Sequence, residues 1–255
     1  KRQVYLCFDV NEETLPAAVA GLKTCGIRGF NLTMPNKNKI VELLDELSPE
    51  AQLIGAVNTV LNDNGKLIGY NTDGYGFMQS VRDAGHDITG KNITVMGVGG
   101  ASMAICAQSA LDGAASVHIF ARRTSRYWNR TQKFAENLSA KTGCQVCLFD
   151  NDDHTALRDS IAQSYLLINA TSVGMVPDID DTIIKDTSLF HPELVVADVV
   201  YEPQETRLLR EAKAAGCQTF NGMYMLLHQG AKAFQIWTGQ EMPVSVIKEK
   251  YFSVK

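Results

Sequence analysis

The sequence predicts an α/β protein built of two α/β domains, the second a Rossmann-like doubly wound parallel sheet. Three observations predict it. From Asp73 to about residue 221, strand-like apolar runs alternate with helical patterns at short spacing. Within that stretch Gly97-Val98-Gly99-Gly100-Ala101-Ser102 follows the buried run Ile93–Met96 and opens a helix rich in Ala and Ile. Before Asp73 the pattern differs, with strands and helices leading into a hairpin around Asn64-Gly65.

Composition sets the outer bounds. The chain has 255 residues, 45% hydrophobic and 20% charged, with net charge −4. That balance excludes a basic nucleic-acid surface and a polybasic membrane patch. No apolar run approaches the roughly 20 residues of a membrane helix. Six scattered cysteines in mostly apolar segments fit reduced, core-like thiols and a cytoplasmic setting. Cys144-Gln145-Val146-Cys147 lacks a second ligand pair and lies in a strand pattern, so it is structural, and no metal is expected.

The elements follow in order. Val4–Val10 is expected as a strand and Thr14–Cys25 as a helix, with Pro16 in its first turn and Gly26 ending it. Gly29–Thr33 is the next strand, stopped by Pro35, and Lys37–Leu47 the next helix. Ser48 caps a short helix to Ile54, and Val57–Asn62 pairs with Lys66–Tyr70 across Asp63-Asn64-Gly65. From Gly74 a helix runs to Ala84. Strands then fall at 93–96, 117–121, 145–149, 166–169, 194–198 and 218–220, with helices between, and 223–237 forms one long helix. The expected division is residues 1–72, residues 73–221 as a dinucleotide-binding domain, and C-terminal helices 222–255 that return to pack on the first domain.

In the glycine loop, Gly97 allows the tight turn and Gly99 lets the backbone approach a pyrophosphate held by helix N–H groups. Gly100 and Ala101 keep the turn small, and Ser102 stands where Gly or Ala is usual. No Asp or Glu lies between Asp112 and Glu136 to take the ribose hydroxyls of NAD. Arg122, Arg123 and Thr124 instead suit a 2′-phosphate, which favours NADP, with NAD as the other choice. Lys37, at a strand-to-helix junction and within one seven-residue stretch with Asn31 and Thr33, is by itself an ordinary solvated lysine on the unfavourable end of a helix dipole.

Seven motifs in order change that reading: Asn31-Leu32-Thr33-Met34-Pro35-Asn36-Lys37, Gly55-Ala56-Val57-Asn58-Thr59, Gly69-Tyr70-Asn71-Thr72-Asp73-Gly74, the glycine loop, Asn169-Ala170-Thr171-Ser172-Val173-Gly174-Met175, Asp198-Val199-Val200-Tyr201-Glu202-Pro203, and Gly222-Met223-Tyr224-Met225-Leu226-Leu227-His228-Gln229. Across essentially its whole length the chain resembles the shikimate dehydrogenase family, nearest its quinate/shikimate branch. The resemblance implies an N-terminal substrate-binding, catalytic domain and roles for matching residues. Lys37 matches the catalytic lysine and Asp73 its partner carboxylate. Thr33, Asn58, Tyr201 and Gln229 match substrate-binding positions, and Asn169, Thr171, Gly222 and Met225 match the nicotinamide side of the cofactor site.

The implied reaction passes hydride between a ring hydroxyl and the cofactor, which needs one acid–base group at the reacting oxygen. Helix capping by Asp73 and turn roles for Asn58 and Asn71 are the structural alternatives. The family's Ser-x-Ser-Pro stretch, which holds the substrate carboxylate, is absent, and the chain is expected to lack its true beginning. The five histidines are expected to be structural and without convincing partners. The readings that stand are a shikimate dehydrogenase or a broader quinate/shikimate dehydrogenase, a monomer or homodimer acting on a small molecule, and, in another class, a non-catalytic dinucleotide-binding regulator.

Overall fold

The structure, a computed structural model, describes residues 4–252. It divides into two compact units, with the boundary between Asn71 and Thr72.

In the first unit, helix α1 (Leu15–Thr24) takes Pro16 in its first turn and ends before Gly26, whose φ of +66° suits glycine. Then come β1 (Gly29–Asn31), α2 (Asn36–Lys39), β2 (Glu46–Leu47), α3 (Pro49–Ile54), β3 (Thr59–Asp63) and β4 (Lys66–Tyr70). The sheet order is β1-β3-β4-β2, antiparallel except for the β2–β4 pair. The hairpin joining β3 to β4 turns at Asn64 and Gly65, both at positive φ. Ser48 caps α3 by accepting from the Ala51 N–H at 3.3 Å. Leu15, Val19, Ile40, Val57, Val60 and Leu67 form the core.

Two expectations fail here. Residues 4–10 join no ladder, and Val4, Leu6 and Phe8 are exposed; alternation of apolar residues specifies a strand only where a neighbour pairs with it. The expected helix Lys37–Leu47 also breaks. It is α2 followed by a 3₁₀ turn (Ile40–Leu43), after which Leu44 is extended and β2 begins. The Asp45 carboxylate accepts from the Leu67 N–H at 2.7 Å and its own N–H donates to the Leu67 carbonyl, so this segment is held to β4. Gly69 makes room for it: a Cβ there would meet Leu44 at 2.5 Å and Val57 at 2.7 Å.

The second unit runs α4 (Asp73–Asp83), β5 (Asn92–Met96), α5 (Gly100–Leu111), β6 (Ser116–Ala121), α6 (Trp128–Thr142), β7 (Gln145–Asp150), α7 (His154–Gln163), β8 (Leu166–Asn169), β9 (Val195–Asp198), α8 (Arg207–Ala214), β10 (Gln218–Phe220), α9 (Met223–Thr238) and α10 (Val244–Ile247). Its six strands pair in parallel in the order β10-β9-β8-β5-β6-β7. Every residue of β8 and β9 is buried, as strands covered on both faces must be. The strand order reverses between β5 and β8, the crevice where doubly wound sheets bind ligands. Helix α9 lies close on α4: a Cβ at Gly76 would fall 2.6 Å from the Met225 carbonyl oxygen and 2.7 Å from the Gln229 nitrogen. The C-terminal helices group with this second unit.

Candidate active site

The loops that leave β5 and β8 meet at the reversal of strand order. Gly97, directly after β5, has φ +110°, and a Cβ there would fall 2.8 Å from Thr171 Cγ2 and 2.9 Å from the Ala170 carbonyl oxygen. Glycine is required on both counts. Gly99 and Gly100, at the start of α5, are exposed, and a Cβ on either would meet nothing within 4 Å. An open, side-chain-free loop at a helix N-terminus fits a dinucleotide pyrophosphate. Ala101 follows, half-buried in the first turn. Ser102 is fully buried and donates to the Gly97 carbonyl at 2.6 Å, so it fastens the loop from within.

The β8 loop is tied by a connected polar network. The Asn169 Nδ2 donates to Asp198 Oδ1 at 3.0 Å and to the Val173 carbonyl at 3.1 Å. Its Oδ1 accepts from Thr171 Oγ1 at 2.6 Å and from the Thr171 N–H at 3.1 Å. Burial pushes the Asp198 carboxyl up, against the pull of hydrogen bonds from Val200, Thr206 and Asn169. Gly222, before α9, packs so tightly that a Cβ would lie 2.0 Å from the Val199 carbonyl oxygen. Met225 and Gln229 are half-buried on α9, Gln229 donating to the Leu226 carbonyl, and Tyr201 is exposed after β9.

After β6, Arg122, Arg123 and Thr124 are exposed. Arg123 stacks its guanidinium over Trp128 at 4.6 Å, and Arg126 lies over Tyr127 at 4.7 Å. Counting along the chain finds no acid here, but the sheet supplies one. Asp150, paired with Ala121 at the end of β7, accepts from the Arg123 N–H at 3.4 Å and the Asp152 N–H at 3.2 Å.

In the first unit, Lys37 is half-buried in α2, and its carbonyl accepts from the Val57 N–H at 2.8 Å. That helix has only four residues, so its dipole opposes the lysine weakly. Thr33 is exposed. Asn58 is 2% exposed at the mouth of β3. The Asn31 Nδ2 donates to the Asn58 carbonyl and to Thr59 Oγ1, which donates to Asn58 Oδ1 at 3.0 Å. Asn31 is thus a brace for Asn58, and Asn71 braces the same end by donating to the Ala56 carbonyl at 3.1 Å. In the second unit, Asp73 is buried and is the first residue of α4, with Thr72 in the capping position, so the alternative reading of Asp73 as the helix cap gives way to a place in the first turn.

The histidines need correction. His86 bonds Tyr165, His118 bonds Ser160, His191 bonds Glu193 and His228 bonds Asp83, at 2.8, 2.9, 3.2 and 2.9 Å. These partners are 79, 42, 2 and 145 residues away in sequence, and packing alone brings the distant ones together. Burial pushes the Cys106 thiol up to about 12 and Cys144 up to about 11, so neither is a nucleophile at neutral pH. Among the described residues no group of three or more His, Cys, Asp or Glu is placed to hold a metal, and no helix is long and apolar enough to cross a membrane.

The chain is 51% identical over 249 residues to a protein of Listeria innocua named shikimate dehydrogenase (NADP(+)), covering 98% of this chain and 85% of that one. This chain belongs to the shikimate dehydrogenase family. The family's substrate binding domain matches residues 2–60, and the Shikimate 5′-dehydrogenase C-terminal domain matches residues 222–250. The crystal structure of shikimate 5-dehydrogenase from Listeria monocytogenes, in complex with shikimate and NAD, is similar with a TM-score of 0.94 at 50% identity, over 96% of this chain and 85% of that one. A quinate/shikimate dehydrogenase of Escherichia coli is 42% identical over 96% of this chain and 85% of its own length. The two-domain α/β architecture and the reversal in strand order are thus those of a shikimate dehydrogenase fold.

Proposed function

We propose that this chain is a shikimate dehydrogenase that transfers hydride reversibly between shikimate and 3-dehydroshikimate with NADP or NAD, within aromatic amino-acid biosynthesis. The observation that carries the reading is the similarity, at 50% identity and TM-score 0.94, to a structure holding shikimate and NAD. The exposed glycine loop and the β8 loop beside it support a dinucleotide site. When bound, the nicotinamide supplies the hydride donor or acceptor.

The protein's residues position the reactants and move a proton. Lys37 and Asp73 are the acid–base pair that serves the reacting oxygen. Asn58, rigidly braced, holds a substrate hydroxyl, with Thr33, Tyr201 and Gln229 as further contacts. Residues 1–72 serve substrate binding and 73–221 serve the cofactor, with Gln229 contributed from 222–255. Gly97, Gly99, Gly100, Ala101 and Ser102 shape the pyrophosphate loop, and Arg122, Arg123 and Thr124 take the 2′-phosphate. Asn169, Thr171, Gly222 and Met225 line the nicotinamide. The reading includes a cytoplasmic monomer or homodimer. Similarity to the quinate/shikimate enzyme of Escherichia coli supports quinate as a second substrate.

The test is a matrix of shikimate and quinate against NADP and NAD. Shikimate with NADP should give the highest kcat/KM. No turnover in any cell of the matrix, despite cofactor binding, would leave the regulatory reading. Lys37→Ala should lower kcat on the order of 10²–10⁴-fold while cofactor affinity stays within about twofold. Retention of most of kcat would remove Lys37 from the acid–base role.

A further inference from the structure

The one fully buried carboxylate at the carboxyl end of the second unit's sheet has no role in the reading above. Asp198 ends β9 and pairs in register with Asn169 at the end of β8, so the two side chains stand side by side. Its Oδ1 accepts from Asn169 Nδ2 at 3.0 Å and from the Val200 N–H at 2.9 Å. Its Oδ2 accepts from Thr206 Oγ1 at 2.8 Å, and Thr206 in turn caps α8 through the Leu209 N–H. Every partner is a donor.

That set of partners has a directional consequence. A carboxamide can sit either way round, and its two ends demand opposite partners. The Asp198 carboxylate only accepts, so it draws the nitrogen end of Asn169 toward itself. The oxygen end must then face Thr171, where it accepts from both the hydroxyl and the N–H. Thr171 Oγ1 is thereby turned to accept from the Val173 N–H at 3.1 Å. With the amide of the buried Asn169 reversed, its NH₂ would meet the Thr171 N–H, donor against donor, in a part-buried place where an unmatched donor is costly. The same Oδ1 anchors Val200, one residue before Tyr201. One buried group therefore sets the loop after β8 and the start of the loop after β9.

We propose that Asp198 is a positioning residue for the cofactor's nicotinamide end, acting through the orientation of the Asn169 amide and the Thr171 loop. This rests on the reading of the Asn169–Thr171 loop as cofactor-lining. Asp198 is fully buried and holds the Asn169–Thr171 loop directly, whereas it reaches Tyr201 only through the neighbouring Val200 N–H, so its influence falls mainly on cofactor affinity and much less on shikimate binding, to which Thr33, Asn58 and Gln229 also contribute. Asparagine at the position keeps an acceptor oxygen for Asn169 and Val200 and can donate to Thr206 Oγ1, so it preserves the amide's direction.

The experiment compares NADPH affinity, by quenching of intrinsic fluorescence, and steady-state KM values for NADP and shikimate, in the unaltered chain, Asp198→Ala and Asp198→Asn. Asp198→Ala should weaken NADPH binding and raise the KM for NADP roughly tenfold or more, the scale of a lost charge-assisted hydrogen bond. The KM for shikimate should stay within about twofold, and Asp198→Asn should recover most of the loss. Should Asp198→Ala not fold, Asp198→Leu, close in size and apolar, carries the same comparison. Equal cofactor affinity in the folded variant overturns the proposal while leaving the cofactor reading intact. So does a parallel rise in both KM values, or an Asp198→Asn variant no better than Ala. If the unaltered chain binds no NADPH, the cofactor reading itself fails and takes the proposal with it.

Discussion

His228 Nε2 lies 2.9 Å from Asp83 Oδ2, and Lys248 bonds the same carboxylate oxygen. One acid at the end of α4 thus holds α9 and the C-terminal turn, with Lys248 also seated over the Tyr224 ring at 4.2 Å. Burial alone would raise the Asp83 carboxyl, but hydrogen bonds from Lys248, Gln79 and His228 outweigh it and hold it at about 2. Burial lowers His228 below its ordinary 6.5, against the pull of Asp83, so the ring is neutral at pH 7.

Both shifts destabilise the fold in acid. A histidine with a depressed folded value binds fewer protons than in the unfolded chain, so stability falls as pH drops below about 6.5. A carboxylate with a depressed folded value contributes fully above its ordinary value near 4, and that contribution is lost as pH falls toward about 2. Urea midpoints measured from pH 8 to 3 should be flat at the top and decline below about 6.5, with a second decline below about 4. Asp83→Asn should lower the midpoint at pH 7 and flatten the second decline. An unchanged midpoint and unchanged curve in that variant would remove Asp83 from the account.

Gly76 faces backbone, not flexible side chain. A methyl there would meet the Met225 carbonyl oxygen at 2.6 Å and the Gln229 nitrogen at 2.7 Å, so α9 would have to move off α4. Gly76→Ala should cost about 1–3 kcal/mol despite alanine's better helix propensity, as overpacking does. Thermal unfolding checks the sign: an unchanged or raised Tm would show that α9 gives way freely. Because the displaced backbone carries Gln229, the variant should also show a raised KM for shikimate.

The basic turn after β6 should decide the cofactor. Arg122→Ala should raise the KM for NADP by about tenfold and leave that for NAD within about twofold, because only the 2′-phosphate needs a guanidinium. Arg123→Ala should do the same and should also lower stability, because it removes the stack on Trp128. Equal losses with both cofactors would place the arginines on the shared pyrophosphate, and no loss with either would place them on the solvated surface.

Much of this protein could be read before any coordinates. The alternation after Asp73 specified a doubly wound sheet because buried parallel strands must be short apolar runs, and β8 and β9 are such runs. Asn64-Gly65 specified a hairpin, and Ser48 a helix cap, because each is a local requirement met by a local residue. The tight turn at Gly97 was legible for the same reason, a positive φ and a close approach that only glycine accommodates.

The tertiary structure decided what depends on a distant partner. The apolar pattern of residues 37–47 suits a helix, yet the Leu67 backbone captures Asp45 and β2 forms instead. Residues 4–10 have strand composition, but no strand among the described residues pairs with them. The bonds of His86, His118 and His228, the Asp150 carboxylate beside the arginine turn and the Asn169–Asp198 bond join residues from 27 to 145 positions apart. Sequence determines which groups can donate, accept or be buried; only the fold determines which of them meet, because hydrogen bonds and close packing act over a few ångströms in space, at any separation along the chain.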